Sequence, residues 1–156
     1  MLNKVPAIVE MLGRDDDILF CYLFGSVARG TAGSLSDLDF AVYLDPRVPA
    51  DQRFYRALDI AARLSSILRT SNVDVVPLND ASPELAYSVI RDGKLLFCRD
   101  ELQRQRFWVR IVLDYLDRGF MRDLFWRYTA KRVKEGSFGG RREDRSQLAP
   151  GARETT

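Results

Sequence analysis

Apolar residues along this chain recur with two different periods, which together predict alternating helices and strands. A spacing of three and four residues, typical of one face of an amphipathic helix, occurs in three segments: 2–12, 51–68 and 100–133. Apolar runs rich in β-branched and aromatic residues, typical of strands, occur in four others: 18–24, 39–44, 73–78 and 95–98. Ser82 and Pro83 have the residue types of a helix N-terminus and predict one more helix, through about Arg91.

Two of the helical segments carry an apolar stripe that we expect to face a core. In segment 51–68 the stripe consists of Phe54, Ala57, Leu58, Ala61, Leu64, Ile67 and Leu68. In segment 100–133 it includes Phe107, Ile111, Val112, Tyr115 and Leu116.

The order of these elements predicts an α/β (α+β) fold, in which a small mixed β-sheet is packed by helices and followed by a C-terminal helical segment. A length of 156 residues fits one domain. We assign this domain to residues 1–133, with its C-terminal helices from about residue 100. Gly119 is expected to divide that last segment into two helices. Residues 134–156 carry too little apolar surface to offset the entropy of ordering, so we expect a disordered tail.

The residue composition narrows the chemistry that the chain can perform. There is no histidine, which removes Ser-His-Asp and Cys-His catalysis and His-ligated zinc. Cys21 and Cys98 each lie in an apolar run, so we interpret both as small hydrophobic residues of a protein in a reducing compartment. The formal net charge is only +2, so a nucleic-acid partner is not expected. An enzyme of this composition would work with carboxylates, hydroxyls, basic side chains and a hard metal ion.

The N-terminal sequence is not typical of a secreted or membrane-anchored protein. MLNKVPAIVEMLGRDDD becomes charged too early for a signal peptide or a membrane-spanning helix. We therefore expect a cytoplasmic protein that does not bind a membrane.

Two carboxylates open the second predicted strand and are the first candidates for a metal site. Asp37 and Asp39 lie two residues apart, and residues i and i+2 of a strand point to the same side of the sheet. Two hard anionic ligands on one face suit Mg²⁺, which completes its shell with water and substrate phosphates. Asp74 stands second in the apolar strand VDVV and should share that face if the strands are neighbours. With histidine absent, Asp74 is also the best candidate base for a nucleophilic hydroxyl.

A candidate phosphate-binding site lies at the end of the first predicted strand. Gly25 lets a backbone approach closely, and Ser26 offers a hydroxyl and a main-chain N–H. If residues 26–29 open a helical turn, their free N–H groups add to this anion site, and Arg29 supplies a positive charge nearby. Ten residues separate Ser26 from Asp37. Each feature alone is common in turns and on surfaces, whereas their conjunction indicates a functional site.

The segment LFGSVARGTAGSLSDLDFAV resembles the Gly-Ser-x10-Asp-x-Asp signature of the DNA polymerase β-like nucleotidyltransferase superfamily. Its form, Gly-Ser-x-Ala-Arg-Gly followed by Ser-Asp-Leu-Asp, is similar to the prokaryotic minimal nucleotidyltransferases in particular. The resemblance extends through VDVVPLNDASPELAYSVIRDGKLLFCRDE and covers residues 18–101. It implies the palm fold of that superfamily.

The resemblance also implies a role for each candidate residue by its position. Asp37, Asp39 and Asp74 would be the catalytic residues that bind metal, with Asp74 helping to activate the attacking hydroxyl. The residues that hold the nucleotide would be Gly25, Ser26, Arg29 and Ser36. The implied cofactors are two Mg²⁺ ions, and the implied donor substrate is ATP.

Members of this family with similar size resemble the antitoxins of two-gene toxin–antitoxin modules. This implies that the partner is a HEPN-domain ribonuclease toxin, which the antitoxin would neutralise by transferring AMP to one of its tyrosines. Two alternatives stay open at this point. The acceptor could be a small molecule, as in the aminoglycoside nucleotidyltransferases, or the chain could be a non-catalytic antitoxin that inhibits its partner sterically.

Overall fold

The computed structural model describes residues 2–33 and 36–134 of the chain. Its helices are α1 (Val5–Gly13), α2 (Gly25–Arg29), α3 (Ala50–Leu68), α4 (Pro83–Asp92) and α5 (Glu101–Lys134). Its strands are β1 (Ile18–Phe24), β2 (Leu38–Leu44), β3 (Val73–Pro77) and β4 (Lys94–Cys98). Short 3₁₀ turns span Leu2–Lys4 and Leu78–Asp80. The predicted tail, 134–156, lies outside the described residues except for its first residue.

The four strands form one mixed sheet in the order β3-β2-β1-β4, which confirms the predicted α+β class. β1 runs antiparallel to both β2 and β4, whereas β2 and β3 are parallel and connected through α3. Pro77 ends β3 at an edge of the sheet, where its missing N–H leaves no ladder bond unmade.

Helices cover both faces of the sheet, so each face contributes to its own core. On one face, α1 and α3 pack over inward residues of β1 and β2 that include Cys21, Phe40 and Val42. On the other face, α4 and the first part of α5 pack over a set that includes Phe20 and Tyr43. Since β1 is buried on both sides, its sequence ILFCYLF is continuously apolar rather than alternating.

The apolar stripe predicted for α3 is only partly the face that this helix buries. Ala57, Leu64 and Leu68 are buried as expected, together with Ile60, which the predicted stripe did not contain. Phe54 and Leu58 are instead 62% and 51% exposed. The buried residues recur every three or four positions and form a narrow row, because only one side of this helix meets the sheet. Leu116 of α5 is likewise exposed rather than buried.

The C-terminal helix is continuous, so the prediction that Gly119 divides it into two helices is wrong. A single glycine inside a helix lowers its stability by only about 1 kcal/mol relative to alanine, which the neighbouring turns can offset. The chain nevertheless separates into two compact units, residues 1–118 and residues 119–156. The first unit contains the whole sheet and the sequence-predicted site. Within the described residues, no helix is both long and apolar enough to cross a membrane.

A cluster of charged residues joins the β1 entrance to α3. The Asp15 carboxylate is only 9% exposed and accepts hydrogen bonds from Arg56, at 2.8 and 2.9 Å, and from Arg63. Burial by itself would raise the pKa of Asp15, but the hydrogen bond from Arg63 and the positive charges of both arginines outweigh it. The pKa of the Asp15 carboxyl is therefore lowered below its ordinary value.

We predict that Asp15→Asn lowers the free energy of unfolding by about 2 kcal/mol, because it removes the buried anion shared by Arg56 and Arg63 and leaves these arginines only their pairs with the more exposed Asp17 and Asp59. Urea unfolding at neutral pH measures this loss. Since the folded state lowers the pKa of Asp15, its contribution is present above the ordinary value of 3.8 and disappears as the pH falls through the lower folded value. The difference between wild type and variant should therefore shrink in acid.

Asp16→Asn is the matched control for this prediction. The Asp16 side chain is 92% exposed and forms one surface ion pair with Arg99, so its substitution should change stability by less than about 0.5 kcal/mol. Equal effects of the two substitutions would contradict a stabilising role for the buried cluster.

Candidate active site

The sequence-predicted site residues meet at one end of the sheet because of its strand directions. β1 ends at Phe24, and the antiparallel register places Phe24 opposite Asp39 near the start of β2. The parallel register of the next pair places Asp39 opposite Asp74 near the start of β3. The Gly25-Ser26 turn, the Asp37–Asp39 pair and Asp74 therefore share one end of three adjacent strands.

The contact between Gly25 and Asp39 is the tightest feature of this end of the sheet. Gly25 has φ +73°, a left-handed conformation that favours glycine. A Cβ atom at this position would lie 2.0 Å from the Oδ2 atom of Asp39. The carboxylate therefore rests directly on the glycine backbone, and any side chain at position 25 would have to displace it.

The three carboxylates lie close enough to influence each other, and they differ in exposure. Asp39 is half-buried, whereas Asp37 and Asp74 are exposed. Burial raises the pKa of Asp39 above its ordinary value, and the negative charges of Asp74 and Asp37 raise it further, against a smaller lowering effect of Arg29. Among the described residues, none of the three carboxylates is engaged in an ion pair. Their mutual repulsion is the electrostatic situation that a bound cation relieves.

The donor atoms of this cluster fit Mg²⁺ better than a metal that needs a closed protein cage. Among the residues that the structure describes, no three acidic or cysteine side chains are gathered into a preformed metal-binding group. Magnesium usually takes only one or two protein carboxylates and completes its shell with water and substrate phosphates. The open arrangement of Asp37, Asp39 and Asp74 is compatible with that mode of binding.

The turn after β1 is shaped by backbone hydrogen bonds around Ser26. It forms the short helix α2, which corresponds to the helical turn considered from the sequence and is followed by Gly30 in a left-handed conformation. The main-chain N–H of Thr31 donates to the Ser26 carbonyl oxygen at 3.0 Å. The Ser26 hydroxyl has no hydrogen-bond partner among the described residues, so it is available to a ligand. Arg29, at the end of this helix, is exposed, and its positive charge partly offsets the rise in the pKa of Asp39.

Ser36 stabilises the loop that leads into β2. Its hydroxyl oxygen accepts a hydrogen bond from the Gly33 N–H at 2.9 Å, and its own N–H donates to the Gly33 carbonyl oxygen at 3.2 Å. Residues 34 and 35 between them lie outside the described part of the chain. In this structure Ser36 shapes the approach to Asp37.

The end of α4 forms a neighbouring wall that the sequence pattern did not single out. A Cβ atom on Gly93 would lie 2.3 Å from the Val89 carbonyl oxygen and 3.2 Å from the Leu23 carbonyl oxygen, so the glycine lets this turn approach β1. Asp92 pairs with Arg91, and the positive charge of Arg29 also contributes to lowering the pKa of Asp92. The positive charge of Arg29 thus acts on two acids, Asp39 at the start of β2 and Asp92 at the end of α4. In the sequence, Asp92-Gly93 is indistinguishable from an ordinary turn.

Comparison with known proteins assigns the chain to one family. The family described as "Polymerase beta, Nucleotidyltransferase" matches residues 7–102. The protein adenylyltransferase MntA of Aphanizomenon flos-aquae (strain 2012/KM1/D3) is 30% identical over 125 residues, which cover 72% of this chain and 83% of the relative. The protein adenylyltransferase MntA of Shewanella oneidensis is 38% identical over 96 residues, which cover 62% of this chain and 66% of the relative.

Solved structures resemble this chain over most of its length. A chain from a crystal structure of a toxin–antitoxin with AMP-PNP is 26% identical, with a TM-score of 0.61 over 82% of this chain and 97% of its own. A chain from the complex of tri-AMPylated Shewanella oneidensis HEPN toxin with MNT antitoxin is 25% identical, with a TM-score of 0.55 over 82% of this chain and 94% of its own. The family match includes the whole of β1 to β4 and every candidate residue. This chain therefore belongs to the polymerase beta nucleotidyltransferase family.

Proposed function

We propose that this chain is a metal-dependent protein adenylyltransferase that acts as an antitoxin. It would transfer AMP from ATP to a tyrosine hydroxyl of a HEPN-domain ribonuclease toxin and so neutralise that toxin. The observation that carries this proposal is the position of Asp39, which lies in register with Asp74 and directly on the backbone of Gly25. This arrangement places the carboxylates beside the turn that we expect to hold the nucleotide phosphates.

The transfer reaction needs a phosphate site, a cation site and a proton acceptor. Gly25 and Ser26 would hold the β- and γ-phosphates through backbone approach and the hydroxyl, with Arg29 adding positive charge and Ser36 fixing the loop. Asp37, Asp39 and Asp74 would hold Mg²⁺, which neutralises phosphate charge and orients the reacting groups when it is bound.

Asp74 is the proposed acceptor of the proton from the attacking hydroxyl. It is exposed at the start of β3, where a hydroxyl of a second protein can reach it. The acceptor oxygen would form a bond to the α-phosphorus of ATP while the bond between that phosphorus and the bridging oxygen breaks. Pyrophosphate would leave, and the hydroxyl proton would pass to the Asp74 carboxylate.

Three features support a protein acceptor and the antitoxin role. The MntA relatives are named protein adenylyltransferases, and a similar chain occurs in a complex with a tri-AMPylated HEPN toxin. Arg29, Asp37 and Asp74 are all exposed, so this end of the sheet is open to a large acceptor. We place the catalytic domain in residues 1–133 and the protein in the cytoplasm, where both ATP and a ribonuclease toxin would be found.

We predict that Asp37→Asn combined with Asp39→Asn lowers the rate of AMP transfer by more than about a hundredfold, and that Asp74→Asn does the same. Loss of the cation ligands or of the proton acceptor removes several kcal/mol of transition-state stabilisation, and each 1.4 kcal/mol is about tenfold in rate. The measurement is transfer of label from α-labelled ATP, with Mg²⁺, to a co-expressed HEPN partner. Asp16→Asn is the matched control and should transfer AMP at the wild-type rate.

The same assay distinguishes the proposed function from its alternatives. γ-Labelled ATP should leave the partner unlabelled, because pyrophosphate departs. A wild-type chain that labels nothing yet still silences the ribonuclease would show that the antitoxin acts sterically. Label found on small hydroxylated compounds instead of the partner would assign the chain to small-molecule transfer.

Alanine substitutions at Gly25 and at Gly30 together test the contact between Gly25 and Asp39 on which the proposal rests. Gly25 and Gly30 have the same φ of +73°, but a Cβ atom on Gly30 would meet nothing within 4 Å. Gly30→Ala should therefore lower the free energy of unfolding by about 1 kcal/mol through backbone strain alone. Gly25→Ala should lower it further and also weaken ATP binding and transfer, because the new methyl displaces Asp39. Urea unfolding and calorimetric titration with ATP measure these effects, and equal losses for the two variants would contradict the importance of the contact.

A further inference from the structure

The end of α4 lies beside the turn that is proposed to hold the nucleotide phosphates. β1 passes directly into α2, whereas α4 ends at Asp92 and β4 begins two residues later. The antiparallel register pairs Leu23 with Lys94, so Asp92 and the Gly25 turn flank the same end of the β1–β4 pair. α2 also packs against α4. The fold therefore places an acid, Asp92, next to the phosphate turn.

Two arginines act on the Asp92 carboxylate, but only Arg91 binds it. Arg91 donates two hydrogen bonds to it, from Nε to Oδ1 at 2.8 Å and from Nη2 to Oδ2 at 2.6 Å. Arg29 is exposed and forms no ion pair with any residue in the described part of the chain. The hydrogen bond from Arg91 lowers the pKa of Asp92 most, and the positive charges of Arg91 and Arg29 lower it further against the opposing effect of burial. The charge of Arg29 therefore reaches an acid whose two oxygens are already occupied.

An aromatic side chain of the same helix also contacts Arg91. The Cζ atom of its guanidinium lies over the Tyr87 ring, 5.7 Å from the centroid. Tyr87 in turn stacks on Tyr115 of α5, with the ring centroids 4.0 Å apart and the rings 7° from parallel. A guanidinium on an aromatic face has fewer orientations than one in free solution. This support favours the orientation in which Arg91 binds Asp92.

We propose that Arg91 is a positioning residue that keeps Arg29 available to the nucleotide. By occupying both oxygens of Asp92, Arg91 prevents this carboxylate from pairing with Arg29. Without Arg91, Asp92 would compete with the triphosphate for the Arg29 guanidinium, and its negative charge would repel the phosphates. Arg91 acts through Asp92 and Arg29 in this role, without touching the nucleotide. The inference rests on the proposed function, in which the Gly25 turn and Arg29 bind ATP.

Calorimetric titration of the full chain with ATP and Mg²⁺ tests this role. Arg91→Gln should weaken ATP binding about fivefold, because Asp92 then pairs with Arg29. Asp92→Asn should not weaken ATP binding, since it removes the competing charge. Arg91→Gln combined with Asp92→Asn should restore the wild-type affinity within about twofold, because the two residues act through one contact.

A second background tests whether the effect passes through Arg29. Arg29→Gln should itself weaken ATP binding. In that background, Arg91→Gln should change the affinity by less than about twofold, because the guanidinium for which Asp92 would compete is absent. A loss of affinity caused by a disturbed fold would not depend on Arg29 in this way.

Arg47 offers a matched control at the opposite end of the sheet. It binds Asp45 with the same two bonds, from Nε to Oδ1 at 2.9 Å and from Nη2 to Oδ2 at 2.8 Å. Asp45 follows the end of β2, whereas the candidate active site lies at its start. Arg47→Gln therefore breaks an equivalent pair and should leave ATP affinity unchanged. Circular dichroism checks that each variant is folded.

The possible results separate this role from the proposed function. An Arg91→Gln chain that binds ATP as tightly as wild type would overturn the role of Arg91 and leave the proposed function intact. Equal weakening in Arg91→Gln and in its combination with Asp92→Asn would also overturn the role, as would an undiminished effect in the Arg29→Gln background. A wild-type chain that binds no ATP would instead contradict the proposed function, and the role of Arg91 with it.

Discussion

The contact between the Asp39 carboxylate and the backbone of Gly25 is the constraint on which this site depends. It joins the end of β1 to the start of β2 so closely that a methyl group on Gly25 would displace the carboxylate. Asp39 is half-buried at this contact, and burial together with the charges of Asp37 and Asp74 raises its pKa. An ionised carboxylate in this environment destabilises a protein that binds no ligand there. Its position becomes reasonable when the glycine turn holds phosphates and a cation binds between the two elements.

The rest of the first compact unit keeps that contact in register. β1 is buried on both faces and fixes the central position of the sheet, so helices on either side resist any shift of the strand. A slip of one residue between β1 and β2 would turn Asp39 to the opposite face and expose Phe40. The large buried residues on either side, Phe20 and Phe40, therefore determine where the carboxylate points. The Asp15 cluster adds a second attachment between the β1 entrance and α3.

Local sequence patterns predicted the strands, and with them the candidate residues that the strand register brings to one end of the sheet, because the interactions that form each strand are local. The limits of β1 follow from its continuous apolar run, and Ser82 does cap α4, since its hydroxyl accepts a hydrogen bond from the Leu85 N–H. Tertiary packing determines the features that the sequence did not predict. Phe54 and Leu58 fit the period of a buried stripe, but the sheet covers only one side of α3. Two further features depend on distances that a sequence pattern does not contain. These are the hydrogen bond between Gly33 and Ser36 and the close approach of Gly93 to β1.

Unbalanced charge is the property that most clearly separates the candidate active site from the Asp15 cluster. Asp15 lies between two arginines, and its pKa is lowered, so its charge is satisfied by the fold itself. Asp39 has the opposite environment, because Arg29 only partly offsets the two acids beside it. A chain that needed only stability would have gained from a neutral residue at this position. In the proposed function, this charge balance would be completed from outside the chain: a divalent cation bound together with a nucleotide triphosphate would supply positive charge beside the glycine turn proposed to hold the phosphates.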